Sequence, residues 1–200
     1  MDKQTEEILQ KIEEAEYVLV GLGQEFDMEF FLQSREDYRR IREQLQQQNV
    51  LWLLPYVEEQ FRRQYLPEME AEIEKGLQKL AKVLEKKSYF VVSSSLNHKL
   101  AEVPWKKMLL KKERFVAPCG DWTKKQCPDG CEEGIQTVTE ADEEQLQESF
   151  KKLQTNGFSV PNLGKCPKCG KKLVLNNVYA GRYDEKGYLK TWTEYQNWLQ

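Results

Sequence analysis

Two short apolar runs stand out against an otherwise polar chain. Tyr17–Gly23 and Tyr89–Ser95 each begin with four consecutive apolar residues and end in glycine or serine. Runs of this length, bounded by turn residues, are typical of strands buried on both faces, which is the usual state of a parallel strand. Glu113–Pro118 has similar character and predicts a third strand. The pattern therefore favours a parallel sheet.

The segment between the two apolar runs has the periodicity of helices. Ser34 begins a helix, with Asp37 placed for a capping box, and apolar residues recur at helical spacing within Glu68–Lys87. A strand, a long helical crossover and a second strand make the βαβ arrangement of an α/β fold. The other predicted elements are helices over Leu51–Tyr65, Thr5–Ala15 and Thr139–Thr155, a strand over Lys171–Val178, and a last helix with Trp192, Tyr195 and Leu199.

Composition and charge bound the classes of partner. The chain has 200 residues, of which 32% are charged, and a formal net charge of −3. No apolar run approaches the roughly 18 residues that a membrane span needs, and the N-terminus lacks a signal-peptide pattern, so we expect a cytoplasmic protein without a membrane partner. Lysines flank the second cysteine pair, but the acidic stretch Glu140–Glu148 would repel a phosphate backbone, so nucleic acid is not the expected partner.

Four of the five cysteines form two close pairs, Cys127 with Cys131 and Cys166 with Cys169. Zinc prefers four thiolates at about 2.3 Å in a tetrahedron, and two tight turns that each present two sulfurs supply that geometry. Two disulfides are the alternative, which the reducing cytoplasm disfavours. Because no histidine or fifth ligand lies nearby in sequence, we predict a closed, structural zinc site.

Polar residues follow the first two predicted strands at their carboxyl ends. Gly21-Leu22-Gly23 can bring the backbone close to a pyrophosphate, and a tight turn for packing is the alternative. Ser93–His98 ends the second strand at the edge where α/β proteins bind ligands. A Ser/Asn-rich turn that caps the following helix explains the same residues without a ligand.

The fifth cysteine and the single histidine are further candidates for chemistry. Cys119 follows the third predicted strand and precedes a glycine, so it is either a small buried apolar residue or a functional one. His98 is the one imidazole available for reactions near neutral pH.

The order of these motifs resembles that of the sirtuin family. Gly21-Leu22-Gly23, Ser94-Ser95-Leu96-Asn97 and Cys119-Gly120 stand in the order of the family's Gly-Ala-Gly, Gln-Asn-Ile-Asp and His-Gly motifs, and the four paired cysteines follow. Gly120-Asp121 before an aromatic residue, and the three-residue gap between Cys127 and Cys131, are similar to the class M sirtuins of microbes.

The resemblance implies a protein-modifying enzyme that uses NAD as a substrate. It implies that Gly21, Leu22, Gly23 and Gln24 approach the phosphates and ribose, and that Ser94, Ser95, Leu96 and Asn97 face the nicotinamide. It implies that Cys119, Asn97 and Ser95 are the catalytic residues, with Cys119 in the place of the family's catalytic histidine. That replacement favours ADP-ribosyl transfer to a protein side chain over lysine deacylation. Asn97 stands where the family has an aspartate, so an amide replaces a carboxylate.

The resemblance also implies a division of the chain. Residues 1–118 and 171–200 would form a partial Rossmann-like NAD-binding domain, and residues 119–170 a small zinc-binding domain. Sirtuins continue past this point with further strands, so the cofactor site that the family builds would be open on one side. The replaced residues at positions 95, 97 and 119 leave a second hypothesis, a non-catalytic protein-binding module on the same scaffold.

Overall fold

A computed structural model describes residues 3–102, 112–131 and 135–200 of the chain. Helices surround a parallel sheet and an antiparallel sheet. The helices are α1 (Lys3–Glu14), α2 (Glu29–Gln33), α3 (Glu36–Gln47), α4 (Leu54–Tyr65), α5 (Pro67–Leu84), α6 (Glu140–Gln154) and α7 (Leu189–Trp198). The strands are β1 (Tyr17–Leu22), β2 (Ser88–Ser93), β3 (Phe115–Val116), β4 (Gly120–Gln126), β5 (Gln136–Thr137) and β6 (Val174–Asn177).

The first sheet has the order β1-β2-β3 and all its pairs are parallel. β1 and β2 align over their whole length, from Tyr17 opposite Ser88 to Leu22 opposite Ser93. The predicted α/β class and the parallel pairing are therefore confirmed. β3 is only two residues long, shorter than predicted, because its start belongs to a 3-10 turn over Lys112–Arg114.

Helices cover both faces of β2, whereas β1 keeps Tyr17 and Leu19 exposed, so the prediction of a strand buried on both faces is confirmed for β2 and wrong for β1. On one face, Leu77, Ala81 and Leu84 of α5 share a core with Val91 and neighbouring strand residues. On the other face, the ring of Phe90 packs against Tyr195 and Trp198 of α7.

The remaining crossover helices do not cover the parallel sheet. α2, α3 and α4 share a second core with the antiparallel sheet, α6 and two of the paired cysteines, Cys127 and Cys166. Edge-to-face ring contacts run through this core, from Tyr38 to Phe61 and from Phe61 to Phe150. The helices that connect β1 to β2 thus belong to two cores. The predicted domain boundaries remain a prediction.

The antiparallel sheet, ordered β5-β4-β6, carries the cysteine-bearing segment. β4 was not predicted, because its sequence is mostly polar. Three of its residues, Trp122, Lys125 and Gln126, are nevertheless buried. Trp122 packs in the second core, and the ammonium of Lys125 lies 2.7 Å from the carboxylate of Asp142 at the start of α6. That carboxylate also completes a capping box with Thr139. The pair therefore anchors α6 to β4.

The predicted capping box at Ser34 is wrong. The Ser34 hydroxyl donates to the carbonyl of Phe31 in the preceding helix, and α3 begins at Glu36 without a side-chain cap. Asp37 is paired with Arg35 instead, at 2.9 Å. Among the described helices, none has the length and apolar character needed to cross a membrane.

Candidate metal centre and strand-end site

The two cysteine pairs meet in space. The four Sγ atoms of Cys127, Cys131, Cys166 and Cys169 all lie within 4.8 Å of one another. A tetrahedral ion with sulfurs at about 2.3 Å holds them about 3.8 Å apart, and the Sγ atoms of Cys127 and Cys169 lie 3.5 Å apart. All five cysteines are free thiols, so the disulfide alternative is not what the structure shows. The four sulfurs are close enough to hold a metal ion.

Tight turns present these sulfurs and surround them with amide donors. Gly130 and Gly170 have φ of +68° and +72°, a left-handed conformation that glycine adopts without steric cost. The amides of Asp129 and Cys131 donate to the Cys127 sulfur. Burial raises the pKa of Cys127, but these amides and the neighbouring thiols outweigh it and lower the pKa to about 6. At Cys127 the turns therefore favour the thiolate, which is the form that binds metals, whereas the hydrogen bond to the Cys127 sulfur raises the pKa of Cys131.

Contacts between the two turns fix their separation. Lys171 pairs with Asp129 across the cluster at 2.8 Å, and Arg182 donates to the Asp129 carbonyl at 2.8 Å. Cys127 and Cys166 are buried in the second core, whereas Cys169 is exposed. Within the described residues, no other group of histidine, cysteine or acidic side chains has the spacing of a metal site. A four-sulfur shell of this kind stabilises a fold and leaves no open position for a substrate.

A second site forms where the parallel strands end, and its centre is Asp27. This residue closes the 3-10 turn that follows β1. Its Oδ1 accepts hydrogen bonds from the Ser95 hydroxyl at 2.5 Å and from the backbone amides of Leu96 and Asn97 at 2.8 and 3.0 Å. Burial raises the pKa of Asp27, opposed by the Ser95 hydrogen bond and by the charge of Arg62. One carboxyl group thus joins the ends of β1 and β2.

Arg62 of α4 supports the turn from behind. Its guanidinium is 1% exposed, donates to the carbonyl of Asp27 at 3.2 Å, and pairs with Glu70 at 3.1 Å. Lys99 pairs with the other carboxylate oxygen of Glu70. The Nη2 atom of Arg62 is buried without a hydrogen-bond partner among the described residues. A buried unpaired donor costs about 1–3 kcal/mol, and each such group in a native fold calls for an explanation, a functional one among them.

Glu58, also on α4, adds a second buried carboxyl group. It accepts a 2.7 Å hydrogen bond from the Tyr38 hydroxyl and is 3% exposed. Burial raises its pKa to about 7, while Arg62 and Tyr38 act in the opposite direction and Asp27 adds to the rise. Strongly displaced pKa values are common at functional sites and also occur in structural ion-pair networks.

The predicted nicotinamide residues lie at this site, but their side chains are engaged within the protein. Ser95 bonds to Asp27, while Asn97 donates to the Phe26 carbonyl and accepts from the Lys99 amide at 3.2 Å. The bond from the Lys99 amide to Asn97 caps the start of the helical residues 99–102. This is the alternative that explains Asn97 without a ligand. Ser94 returns to the Leu22 carbonyl, and Leu96 is buried.

The predicted phosphate residues show no conformation that requires glycine. Gly21 lies within β1, with no atom within 4 Å of an added Cβ, and Gly23 has an extended backbone with φ of −91°. Leu22 is buried in the core of the parallel sheet. Gln24 is exposed at the start of the 3-10 turn. Gln24 begins the 3-10 turn that ends at Asp27, and this turn connects the Gly21–Gln24 segment to the strand-end site.

Cys119 and His98 differ in their relation to the site. Burial, and then the charge of Asp27, raises the pKa of the Cys119 thiol, so it is a protonated group near Asp27 at neutral pH. His98 is 8% exposed, its ring meets Trp122 edge-on, and its Nε2 lies 3.2 Å from Glu102. The imidazole is therefore part of the packing beside β4.

Three residues of the site were missed in the sequence: Asp27, Glu58 and Arg62. The local sequence does not single them out, because Asp27 has Glu25 and Glu29 nearby and the other two lie within α4, half of whose residues are charged or amide side chains. Comparison with protein-family models and with curated proteins finds no match for this chain.

Proposed function

We propose that this chain is a sirtuin-like transferase that consumes NAD, with a structural zinc ion at the four cysteines. The observation that carries the proposal is the position of Asp27. The resemblance calls for a carboxylate at position 97, where this chain has an amide, and Asp27 places a carboxyl group on the backbone of Leu96 and Asn97 from the neighbouring strand end. The group that the motif lacks in sequence is thus present in space.

The order of elements also supports the proposal. The glycine-containing turn, the Ser95–Asn97 segment and Cys119 follow three adjacent parallel strands, and the carboxyl ends of such strands are where α/β proteins bind nucleotides. The four-cysteine cluster follows in the order that the resemblance implies. The expected fold is therefore Rossmann-like, with the zinc module attached to it.

In the proposed reaction NAD is a substrate. The bond between nicotinamide and ribose C1′ breaks and nicotinamide leaves as a neutral molecule. An acceptor side chain of a protein bonds to C1′ and releases its proton to solvent. Asp27 would face the cationic nicotinamide ring of NAD. Cys119 would line the site as a neutral thiol, since its raised pKa keeps it protonated and so unable to accept a proton at neutral pH.

Nicotinamide release tests the proposal directly. The metal-loaded chain is incubated with NAD, and free nicotinamide is measured by chromatography, beside the melting temperature with and without NAD. Asp27→Asn keeps an acceptor oxygen for the three donors but removes the charge, so we expect release to fall by about tenfold or more with the fold retained. Glu68→Gln, an exposed change on α5, is the matched control. Absence of both nicotinamide release and a melting shift with NAD would rule the enzyme out.

The second candidate is a protein-binding module without catalysis. It is favoured by the side chain of Asn97, whose amide oxygen and nitrogen both bond within the protein. Calorimetric titration with NAD separates the two candidates, because a binding module needs no affinity for the nucleotide. Measurable NAD affinity that is lost in Asp27→Asn would exclude the module.

A further inference from the structure

The four sulfurs of the metal centre differ in their access to solvent. Cys127 and Cys166 are buried and Cys131 is half-buried, whereas Cys169 is exposed. Cysteines bind metals in the deprotonated form, so all four are thiolates when the ion is held. The cysteine that an oxidant attacks is determined by thiolate character and by exposure. Among these four ligands, Cys169 is therefore the first target of a small oxidant.

A second sulfur lies within reach of the exposed one. The Sγ atom of Cys127, on the other turn, is 3.5 Å from the Sγ atom of Cys169. A disulfide holds its sulfurs about 2.05 Å apart, so a small movement brings the two atoms to bonding distance. Cys127 is fixed in the second core, and the movement therefore falls on the exposed turn of Cys169. An accessible thiolate beside a second cysteine is the usual arrangement of a redox-sensing pair.

Contacts that involve no sulfur hold the two turns together. β4 ends just before Cys127 and pairs with β6, which follows Cys169. Lys171 of the second turn pairs with Asp129 of the first at 2.8 Å, and Arg182 donates to the Asp129 carbonyl at 2.8 Å. None of these contacts needs a metal ion. The sulfurs of Cys127 and Cys169 therefore stay close to each other when the ion is lost.

We infer that Cys169 and Cys127 form a reversible disulfide when a hydroperoxide oxidises the metal centre. The Cys169 thiolate attacks one peroxide oxygen, the O–O bond breaks and hydroxide leaves, so that Cys169 becomes a sulfenic acid. The Cys127 thiolate then attacks the Cys169 sulfur, the S–O bond breaks and a second hydroxide leaves. Two electrons pass from the two sulfurs to the peroxide. Cys131 and Cys166 alone do not complete a four-ligand shell, so the oxidised protein releases its metal.

The position of this disulfide makes the modification reversible. A bond between Cys127 and Cys169 joins the two turns and so replaces the metal ion as their cross-link. A bond between Cys166 and Cys169 would lie within one turn and would leave the two turns without a covalent link. The first bond keeps the second core closed, so a thiol reductant regenerates a site that can bind metal again. This disulfide depends on the proposed metal centre and is independent of NAD chemistry.

Hydrogen peroxide added to the full, metal-loaded chain tests the inference. A chromophoric chelator follows the release of zinc, and mass spectrometry of a non-reduced digest identifies the disulfide. We expect about one zinc per chain to be released, with a bond between Cys127 and Cys169, and dithiothreitol to restore zinc binding. A bond between Cys166 and Cys169, or a bond to Cys119, would overturn the inference. A chain that holds no zinc before oxidation would instead overturn the proposed metal centre, and this inference with it.

Two histidine variants show which sulfur the oxidant attacks. Cys169→His and Cys131→His each leave three cysteines and one histidine, which is also a common zinc shell. Cys169→His removes the exposed thiolate, so it should release zinc at least about tenfold more slowly than the wild-type chain. Cys131→His is the matched control and should release zinc at nearly the wild-type rate, with the same bond between Cys127 and Cys169. Equal rates in the two variants would show that Cys169 is not the point of attack and would overturn the inference.

Discussion

Oδ1 of Asp27 lies 2.5 Å from the hydroxyl oxygen of Ser95, and the same carboxylate oxygen accepts the amides of Leu96 and Asn97. A single acidic side chain after β1 therefore fixes the conformation of the segment after β2. The carbonyl of Asp27 is held in turn by Arg62. Arg62 lies on α4 and also pairs with Glu70 of α5. The turn at Asp27 therefore connects the ends of β1 and β2 to helices α4 and α5.

Replacement of Asp27 by alanine should destabilise the fold more than replacement by asparagine. Asp27→Ala leaves two buried amides and the Ser95 hydroxyl without their acceptor, and each unsatisfied buried donor costs about 1–3 kcal/mol. Because the Asn97 amide also lies 3.0 Å from the Ser95 hydroxyl oxygen, we expect a net loss of about 2–3 kcal/mol. Asp27→Asn keeps an acceptor and should lose less than about 1 kcal/mol. Urea unfolding measures both, and equal losses would show that the three bonds do not hold the turn.

Glu58 should make the stability of the fold depend on pH near neutrality. Its pKa rises from 4.5 to about 7 on folding, so the folded protein holds this proton in a range where the unfolded chain has released it. The contribution is fully present below pH 4.5 and is lost as the pH rises to about 7, by about 3 kcal/mol.

Glu58→Gln removes the titration and keeps an acceptor for Tyr38. The free energy of unfolding of the wild-type chain, minus that of Glu58→Gln at the same pH, should therefore fall between pH 4.5 and about 7. Taking the difference cancels the loss of metal in acid, which both proteins share. Glu68→Gln, an exposed change on α5, is the matched control. A flat difference for Glu58→Gln would mean that folding does not raise the pKa of Glu58.

The sequence predicted the elements whose signal is local and missed those that depend on distant partners. β2 is a continuous apolar run because helices cover both of its faces, and the cysteine spacing is set by two tight turns, so both could be identified without a structure. β4 could not, because the burial of Lys125 depends on Asp142, which lies on another element. The burial of Asp27 likewise depends on amides supplied from across the sheet.

Alanine should cost more stability at Gly120 than at Gly21, although Gly21 belongs to the predicted phosphate-binding motif. Gly120 has φ of +70°, and an added Cβ would lie 2.3 Å from the backbone oxygen of Asn176 on β6, so Gly120→Ala should cost about 2–4 kcal/mol. Gly21→Ala meets no atom and should change stability by less than about 1 kcal/mol. Thermal unfolding compares them. If Gly21→Ala lowers the affinity for NAD and leaves the stability unchanged, the phosphates of NAD lie close to the backbone at Gly21.

Removal of one paired cysteine should unfold the second core, whereas removal of Cys119 should not. Cys166 is 2% exposed and belongs both to the four-sulfur cluster and to the core that α2, α3 and α4 share with the antiparallel sheet. Structural zinc contributes directly to folding free energy, so Cys166→Ser should lose the metal together with several kcal/mol of stability. Cys119→Ser, outside the cluster, should retain about one zinc per chain by elemental analysis. A wild-type protein with far less than one zinc per chain, or a Cys166→Ser variant that melts at the wild-type temperature, would contradict a structural role for the metal.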